Sequence, residues 1–526
     1  MLSAQGLSLV SLPGLTFTQR HSPTTQKYLL ETMGGGVALL DYNNDGRLDV
    51  FLVNGGKLTD PVAIPVDYAR KDPLFWNRLF RQNTDGNFTD VTEEAGLSHS
   101  PNSYGMGAAV GDYDNDGFAD LYVTGYPSNV LYRNNGNGTF SDVTSKAGVA
   151  AGGWSASAGF FDYDNDGLLD LFVTRYLDWD IRRNPICGTP FNAYCRPDRF
   201  GPVSNVLFHN EGGGRFRDTS VTTGIAGSKG KALGVAFHDY DDDGFADIFV
   251  ANDGMEQFLF HNERGTKFRE LAMDAGVAFA DDGKSFAGMG VCFTDYDNDG
   301  RADILVTTLA LEKYALFRNE GAGQFHYSSL TSGLAAATAS HSGWGVALED
   351  FDNDGWRDIF VAQSHVLDNV EKLHSGLRYL EPPALYKNVA GRFQANSLEV
   401  SAVAGRGAAF GDLNNDGAVD VVMSVLGGAP MVFRGTPQNH WLTIQLRGSK
   451  SNRDGLGAKI RVGKQFAYVT TSGSYLSASD RRVHFGLGEI PSSKKDIVVE
   501  IVWPSGKKQM LEHVVPDQIL HVPEPE

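Results

Sequence analysis

The feature that most constrains this chain is a nine-residue acidic pattern, D-x-[DN]-x-D-G-x-x-D, which recurs from Asp41, Asp112, Asp162, Asp239, Asp295, Asp350 and Asp412. The starts lie 71, 50, 77, 56, 55 and 62 residues apart, and self-similarity of this kind signals a repeat architecture. Each copy follows a small-residue run such as Gly105–Val110 and precedes an apolar run such as Leu121–Val123. A Leu-aromatic-x-Asn phrase comes next, as in Leu131–Asn134, Leu207–Asn210, Leu259–Asn262 and Leu316–Asn319. After a Gly-rich turn, a segment of the type Gly138–Val143 ends the unit. Short apolar runs bounded by turn residues predict four strands per repeat, A to D, with the acidic motif as the A–B turn. The 62 glycines, free of any G-X-Y period, fit many tight turns between short strands.

Seven four-stranded units predict an all-β fold, a seven-bladed β-propeller over residues 1–436. An open solenoid is the competing architecture, but only radial closure hides the sheet edges. The last repeat points to closure, because after Met431–Arg434 the chain passes into a different kind of sequence and strand D is missing. Gly14–Thr18 reads as a strand and is expected to supply it, pairing the two ends of the ring. Residues 437–526 are expected to form a small β-rich domain.

Oxygen-bearing side chains at motif positions 1, 3, 5 and 9, with glycine at 6 and a backbone carbonyl at 7, suit a hard cation that takes six or seven oxygens. The expected ligands are Asp41, Asn43, Asp45 and Asp49; Asp112, Asp114, Asp116 and Asp120; Asp162, Asp164, Asp166 and Asp170; Asp239, Asp241, Asp243 and Asp247; Asp295, Asp297, Asp299 and Asp303; Asp350, Asp352, Asp354 and Asp358; and Asp412, Asn414, Asp416 and Asp420. Calcium is the expected ion, up to seven of them. Magnesium is the weaker reading, and zinc is disfavoured because it prefers four ligands including nitrogen or sulfur. One isolated copy reads equally well as a plain Asx/Gly turn, but seven copies keeping all four oxygen positions favour metal. The formal charge is −19, and seven divalent ions would take it to −5. Such ions are expected to be structural, tying strand A to strand B within each blade.

Because the acid is concentrated in these loops, nucleic acid is not an expected partner. No stretch approaches the roughly 20 apolar residues of a membrane span. Cys187 and Cys195 lie eight apart in a loop-like stretch and read as a disulfide if the protein is exported, with a two-cysteine metal site as the competing reading. Cys292, in the apolar run Gly290–Phe293, reads as a buried small hydrophobe.

The C-terminal stretch holds the phrases Asn439–Leu442, Gly455–Lys459, Gly473–Ser477, Val483–Gly488 and Val502–Gly506. With them the chain resembles the cartilage acidic protein family and its ASPIC/UnbV domain, and the repeats resemble the FG-GAP/VCBS repeats of the integrin α type. The resemblance implies a calcium-binding, usually secreted protein used in adhesion or matrix interaction, and so an extracellular or periplasmic location. Met1–Gln19 has neither a basic start nor a continuous apolar run, so this numbering shows no secretory signal and an intracellular protein stays open.

From motif position 9 to the recurring Asn, repeats two, four and five take 14, 15 and 16 residues, whereas repeats one, three and six take 34, 40 and 30. All three insertions are B–C loops and are expected on the face opposite the acidic turns. Long loops gathered on one face of a rigid scaffold are the usual address of binding or catalysis. They and the neighbouring D–A loops offer Trp76, Arg78, Trp154, Arg175, Tyr176, Trp179, Arg182, Arg183, His341, Trp344 and His365 as candidate ligand-binding residues. The plain alternative is that these side chains pack the insertions onto the ring.

No G-x-S-x-G, H-E-x-x-H or Walker-type phrase is present. A binding or adhesion module, meeting a protein, glycan or small molecule on the insertion face, is the expected function. The alternative is an enzyme of lyase or cyclase type with a pocket at the channel mouth, where His341, His365, Asp253 and Glu31 would meet.

Overall fold

Each of the seven acidic motifs forms the turn between two antiparallel strands, in a computed structural model that describes residues 6–98, 100–490 and 496–526. Among the described residues, seven antiparallel sheets share the strand order A-B-C-D. The A strands, Val37–Leu40, Tyr104–Gly111, Ser155–Phe161, Ala232–His238, Val291–Thr294, Gly343–Glu349 and Gly405–Gly411, pack each against the next. The last of them packs against the first, so the blades close into a β-propeller-like ring. Crowding at the axis explains why these strands are rich in Gly and Ala. A Cβ on Gly36 would lie 2.6 Å from Gly107 Cα, and one on Gly407 would lie 2.5 Å from Gly35 O.

The N-terminus does close the last blade, but with a different segment from the one expected. Leu7–Val10 pairs antiparallel with Met431–Gly435, Leu7 opposite Gly435 and Val10 opposite Val432. Gly14–Thr18 is not a strand. Pro13 has no N–H to give a ladder, and Gly14 sits at φ +85°, so pairing stops before Leu15 and the chain turns towards blade one. There Pro13 O accepts from Phe88 N (2.8 Å) and Phe17 is buried beside Phe88.

The C-terminal part stacks two sheets. In one, His440–Arg447 lies between Val483–Gly488 and Gln518–Pro523; in the other, Lys459–Val462 and Ile497–Val502 are central. Leu442, Ile444, Ile460, Phe485, Ile501 and Trp503 fill the space between them. The loop Gly473–Ala478 leaves this body and runs down the axis of the ring. Its backbone bonds A strands of three blades: Ser474 with Val291 (2.7 and 3.0 Å), Leu476 O with Ala108 N (3.0 Å), and Ala478 with Val37 and Leu39 (2.9 and 3.0 Å). Tyr475, fully buried, reaches the far end of the channel, where its hydroxyl donates to Met33 O (2.9 Å).

Candidate functional site

The acidic turns share one geometry. In blade three, Asp162 accepts from the N–H groups of Asp166 (3.2 Å) and Gly167 (3.0 Å), and Asp166 from Leu168 N (2.8 Å). Asp170 accepts from Tyr163 N (3.1 Å) and from Asn210 N on strand C (2.8 Å). These bonds aim the carboxylates at one point, so that Asp162, Asp164 and Asp166 offer oxygens within 4.8 Å of one another. Burial and mutual repulsion push such carboxyls up, Asp112 to about 6 and Asp350 to about 7. At motif position 3, the buried oxygens Asn43 Oδ1, Asp114 Oδ1, Asp164 Oδ1 and Asp352 Oδ1 have no hydrogen-bond partner among the described residues. A buried acceptor with no donor is costly, and a hard cation at the centre of the turn satisfies it. The residues therefore fit a divalent cation.

Three features of the turns lie outside the ligand positions. The residue after the aromatic of the Leu-aromatic-x-Asn phrase, or of its counterpart, is basic in all seven repeats: Arg81, Arg133, His209, His261, Arg318, Lys387 and Arg434. In blades two to seven it faces the acids of its own turn, as Arg133 does Asp114 and Asp116 (2.5 and 2.6 Å). Four carboxylates around one divalent ion would leave two negative charges, and a charged side chain here would offset one of them. Next, the recurring Asn binds backward: Asn134 Nδ2 donates to Tyr42 O of the preceding blade (2.8 Å), and Asn210, Asn262, Asn319 and Asn388 repeat the contact.

Finally, motif position 4 binds forward. Asn44, Asn115, Asn165, Asn298, Asn353 and Asn415 each donate Nδ2 to the position-6 glycine carbonyl of the following blade, at 2.8–2.9 Å. Each sits at positive φ, where Asn is tolerated best after Gly. Blade four has Asp242 instead, which pairs with Lys459 of the C-terminal part.

The C-terminal part caps this end of the ring. Asn115 Oδ1 accepts from Arg453 N (2.9 Å), Asn415 Oδ1 from Arg482 Nη1 (2.6 Å), and Asn353 Oδ1 pairs with His484 Nε2 (2.7 Å). Asp112 N donates to Asp454 (2.9 Å), and Lys459 Nζ lies 2.7 Å from Asp239. Between cap and ring is a space of about 140 Å³ lined by Glu349, Arg357, Asp480, Arg482 and His484 among others.

At the opposite end, the three insertions fall where the topology required, but most of the candidate aromatics face inward. Trp154, Tyr176, Trp179 and Trp344 are buried. Trp154 packs edge-on against Tyr176 (5.1 Å between centroids) and Trp179 (5.3 Å), and Trp344 against Tyr475 (5.0 Å). Here the plain packing alternative holds, because each insertion needs a core of its own to be ordered. Trp76 is half-buried under Arg78, which pairs with Asp90 (3.0 Å). Arg175 is half-buried, while Arg182 and Arg183 project into solvent.

The imagined meeting of four acid-base groups is not formed, since each has a separate partner: His341 with Glu381 (2.6 Å), Asp253 with Tyr176 (2.6 Å), Glu31 with Tyr194 (2.9 Å), and His365 with Leu367 N (3.0 Å). The channel itself is filled by Tyr475 and Leu476. Cys187 and Cys195 form a disulfide within the third insertion, and Cys292 is a buried thiol whose Sγ lies 3.4 Å from Val346 O. Among the described residues no helix is long and apolar enough to cross a membrane.

Comparison with known proteins agrees with this layout. The FG-GAP-like repeat family matches residues 41–123, 112–173, 239–306 and 295–361, and the ASPIC and UnbV family matches residues 448–526. Cartilage acidic protein 1 of Mus musculus is 26% identical over 273 residues, covering 50% of this chain and 40% of that protein. Its Homo sapiens counterpart is 25% identical over 306 residues, covering 56% and 43%. The chain thus spans less than half the length of these relatives. A solved lectin of Agrocybe aegerita, described as recognising non-reducing terminal N-acetylglucosamine, covers 76% of this chain and 92% of its own at 15% identity and a TM-score of 0.39. The ring thus holds FG-GAP-like repeats and the cap an ASPIC and UnbV segment, and over about half its length the chain is similar to cartilage acidic protein 1.

Proposed function

We propose that this protein is a calcium-stabilised binding module of the extracellular or periplasmic space, which meets its ligand with the insertion end of the ring. The observation that carries the reading is the closure of the acidic end by the C-terminal cap, through Arg453, Lys459, Arg482 and His484. That leaves the insertion end, whose three long loops expose Ile64, Leu74, Ile186, Phe191, Leu373 and Leu380 as well as Arg182 and Arg183. Apolar and guanidinium groups together on one protein surface are the usual composition of an interaction site. The Cys187–Cys195 disulfide supports an oxidising compartment.

An array of immobilised glycans and matrix proteins, probed with the wild type and with an Arg182→Ala, Arg183→Ala, Phe191→Ala triple variant, tests the assignment. The variant is expected to lose binding at an unchanged melting temperature. A matched triple variant on the cap, Val498→Ser, Met510→Ser and Val515→Ser, is expected to bind normally. If the cap variant alone loses binding, the assignment of ends is wrong. The converging oxygens and the unpartnered position-3 acceptors support the calcium part of the reading. Removing metal with EDTA is expected to lower the melting temperature strongly, with recovery on adding Ca²⁺ and less on adding Mg²⁺.

A further inference from the structure

The seven repeats can be compared at the position six residues before each motif, near the insertion end of the channel. The occupants are Gly35, Met106, Ala156, Leu233, Met289, Trp344 and Arg406. Six suit an apolar collar around Tyr475 and Leu476; the seventh is a fully buried cation. Arg406 Nε donates to Thr32 O (2.7 Å), and Nη1 donates to Gly405 O (2.8 Å) and to Ser364 Oγ. Its guanidinium stacks on Trp344, 4.2 Å from the ring centroid. All these partners are neutral, and Nη2 has no partner among the described residues. A buried cation with neither a counter-ion nor a full set of acceptors costs several kcal/mol, so a residue kept in that state is expected to meet an anion at some stage of its work.

The surroundings favour that anion over a stray acceptor. His365 follows Ser364 and is tied to insertion six by His365 N donating to Tyr379 O (2.9 Å). Its Nδ1 accepts from Leu367 N (3.0 Å), which leaves the proton on Nε2 as a free donor. His21 stands against Gly427, on the blade-seven side. Burial, and after it the charge on Arg406, hold both imidazoles down to about 4, so they are neutral donors at neutral pH. Tyr379, whose carbonyl accepts from His365 N, is half-buried and so lies on the solvent side of this group.

We infer that Arg406, with His365 and His21 beside it, receives a carboxylate group of a small ligand entering from the insertion end. One buried positive charge flanked by neutral donors matches a monoanion, and a dianionic phosphate would leave a buried negative charge uncompensated. The inference rests on the insertion end being the binding end and names the chemistry expected there.

Titrating acetate and, separately, inorganic phosphate at ionic strength held constant with chloride tests it, by calorimetry on the full chain. Acetate is expected to bind saturably and phosphate at least about tenfold more weakly. Arg406→Met, which installs the residue found at this position in blades two and five, is expected to abolish acetate binding without lowering the melting temperature. His365→Phe leaves the guanidinium in place and is expected to weaken acetate about tenfold. Absence of acetate binding by the wild type, equal binding by Arg406→Met and the wild type, or phosphate outcompeting acetate would overturn the inference. Such a failure with the array results as expected would leave the insertion-end reading standing; loss of array binding by the cap variant alone would overturn that reading and not this one.

Discussion

Asn298 does two things that no other side chain does as well at its position: it accepts a φ of +59° and gives Nδ2 to Gly355 O of the next blade (2.9 Å). Asn298→Ala loses both and is expected to cost about 1–3 kcal/mol, whereas Asn298→Gly keeps the backbone and should cost about 1 kcal/mol or less. Urea unfolding of the two variants in saturating Ca²⁺ measures the difference; equal costs would remove the role given to backbone strain. His365 gives the pH prediction. Burial, then Arg406 and His374, push its imidazole from 6.5 to about 4, with Glu371 pulling the other way. The unfolded chain takes up that proton near pH 6.5 and the folded chain only near 4, so the contribution is full above about 6.5 and is lost as pH falls towards 4. Between pH 7.5 and 4.5 the wild type is expected to lose about 2–3 kcal/mol more than His365→Gln in urea unfolding. Parallel losses would show that His365 does not titrate in this way.

For the elements, ring closure is the decisive test. Leu7 is buried in the core between blades six and seven, and its strand covers the edge of Met431–Gly435. Removing residues 1–11 exposes that edge and is expected to lower the melting temperature markedly and promote association. Leu7→Ala alone should cost about 2–4 kcal/mol, as a buried leucine does. A truncated protein that melts like the full chain would mean the ring holds without its N-terminal strand. Closure by the N-terminus was legible from the missing strand D, but the segment was not. Leu7–Val10 and Leu15–Thr18 have similar alternation, and the choice turned on Pro13 and Gly14 as breakers between them.

For the whole molecule, cap and ring are joined by the loop Gly473–Ala478, which bonds three blades from inside the channel. Tyr475→Ala empties the axis beside Trp344 and Met106 and is expected to cost about 3–5 kcal/mol, as loss of a buried aromatic does. It should also make the Thr436–Asn439 junction cleavable by protease while the isolated blades stay folded. Because Arg453, Arg482 and His484 bond asparagines held within the acidic turns, metal removal is expected to release the cap in the same transition that loosens the blades. A cap that stays protected from protease in EDTA would uncouple the two.

Much of this molecule was written locally. An acidic turn carries its candidate ligands and its glycine within nine residues, between two short strands, so seven copies could be counted, ordered and placed on one face by alternation along the chain. The insertions followed from the same counting. What resisted was every property that depends on residues far apart. Trp154, Tyr176 and Trp179 sit in stretches rich in turn residues, and only the collapse of the insertions onto one another turned them from surface anchors into core, while Trp344 was buried by the axial Tyr475. The cap's position over the acidic end depends on pairs such as Asn115 with Arg453, 338 residues apart. Arg406 stands in the same place: its departure from the repeat column was visible in the chain, but whether a counter-ion met it was set by folding, which brought Trp344, Thr32 and Ser364 to it and no carboxylate among the described residues. Repeats encode their own unit at short range, while burial and charge neutralisation are decided by contacts that form when the ring closes.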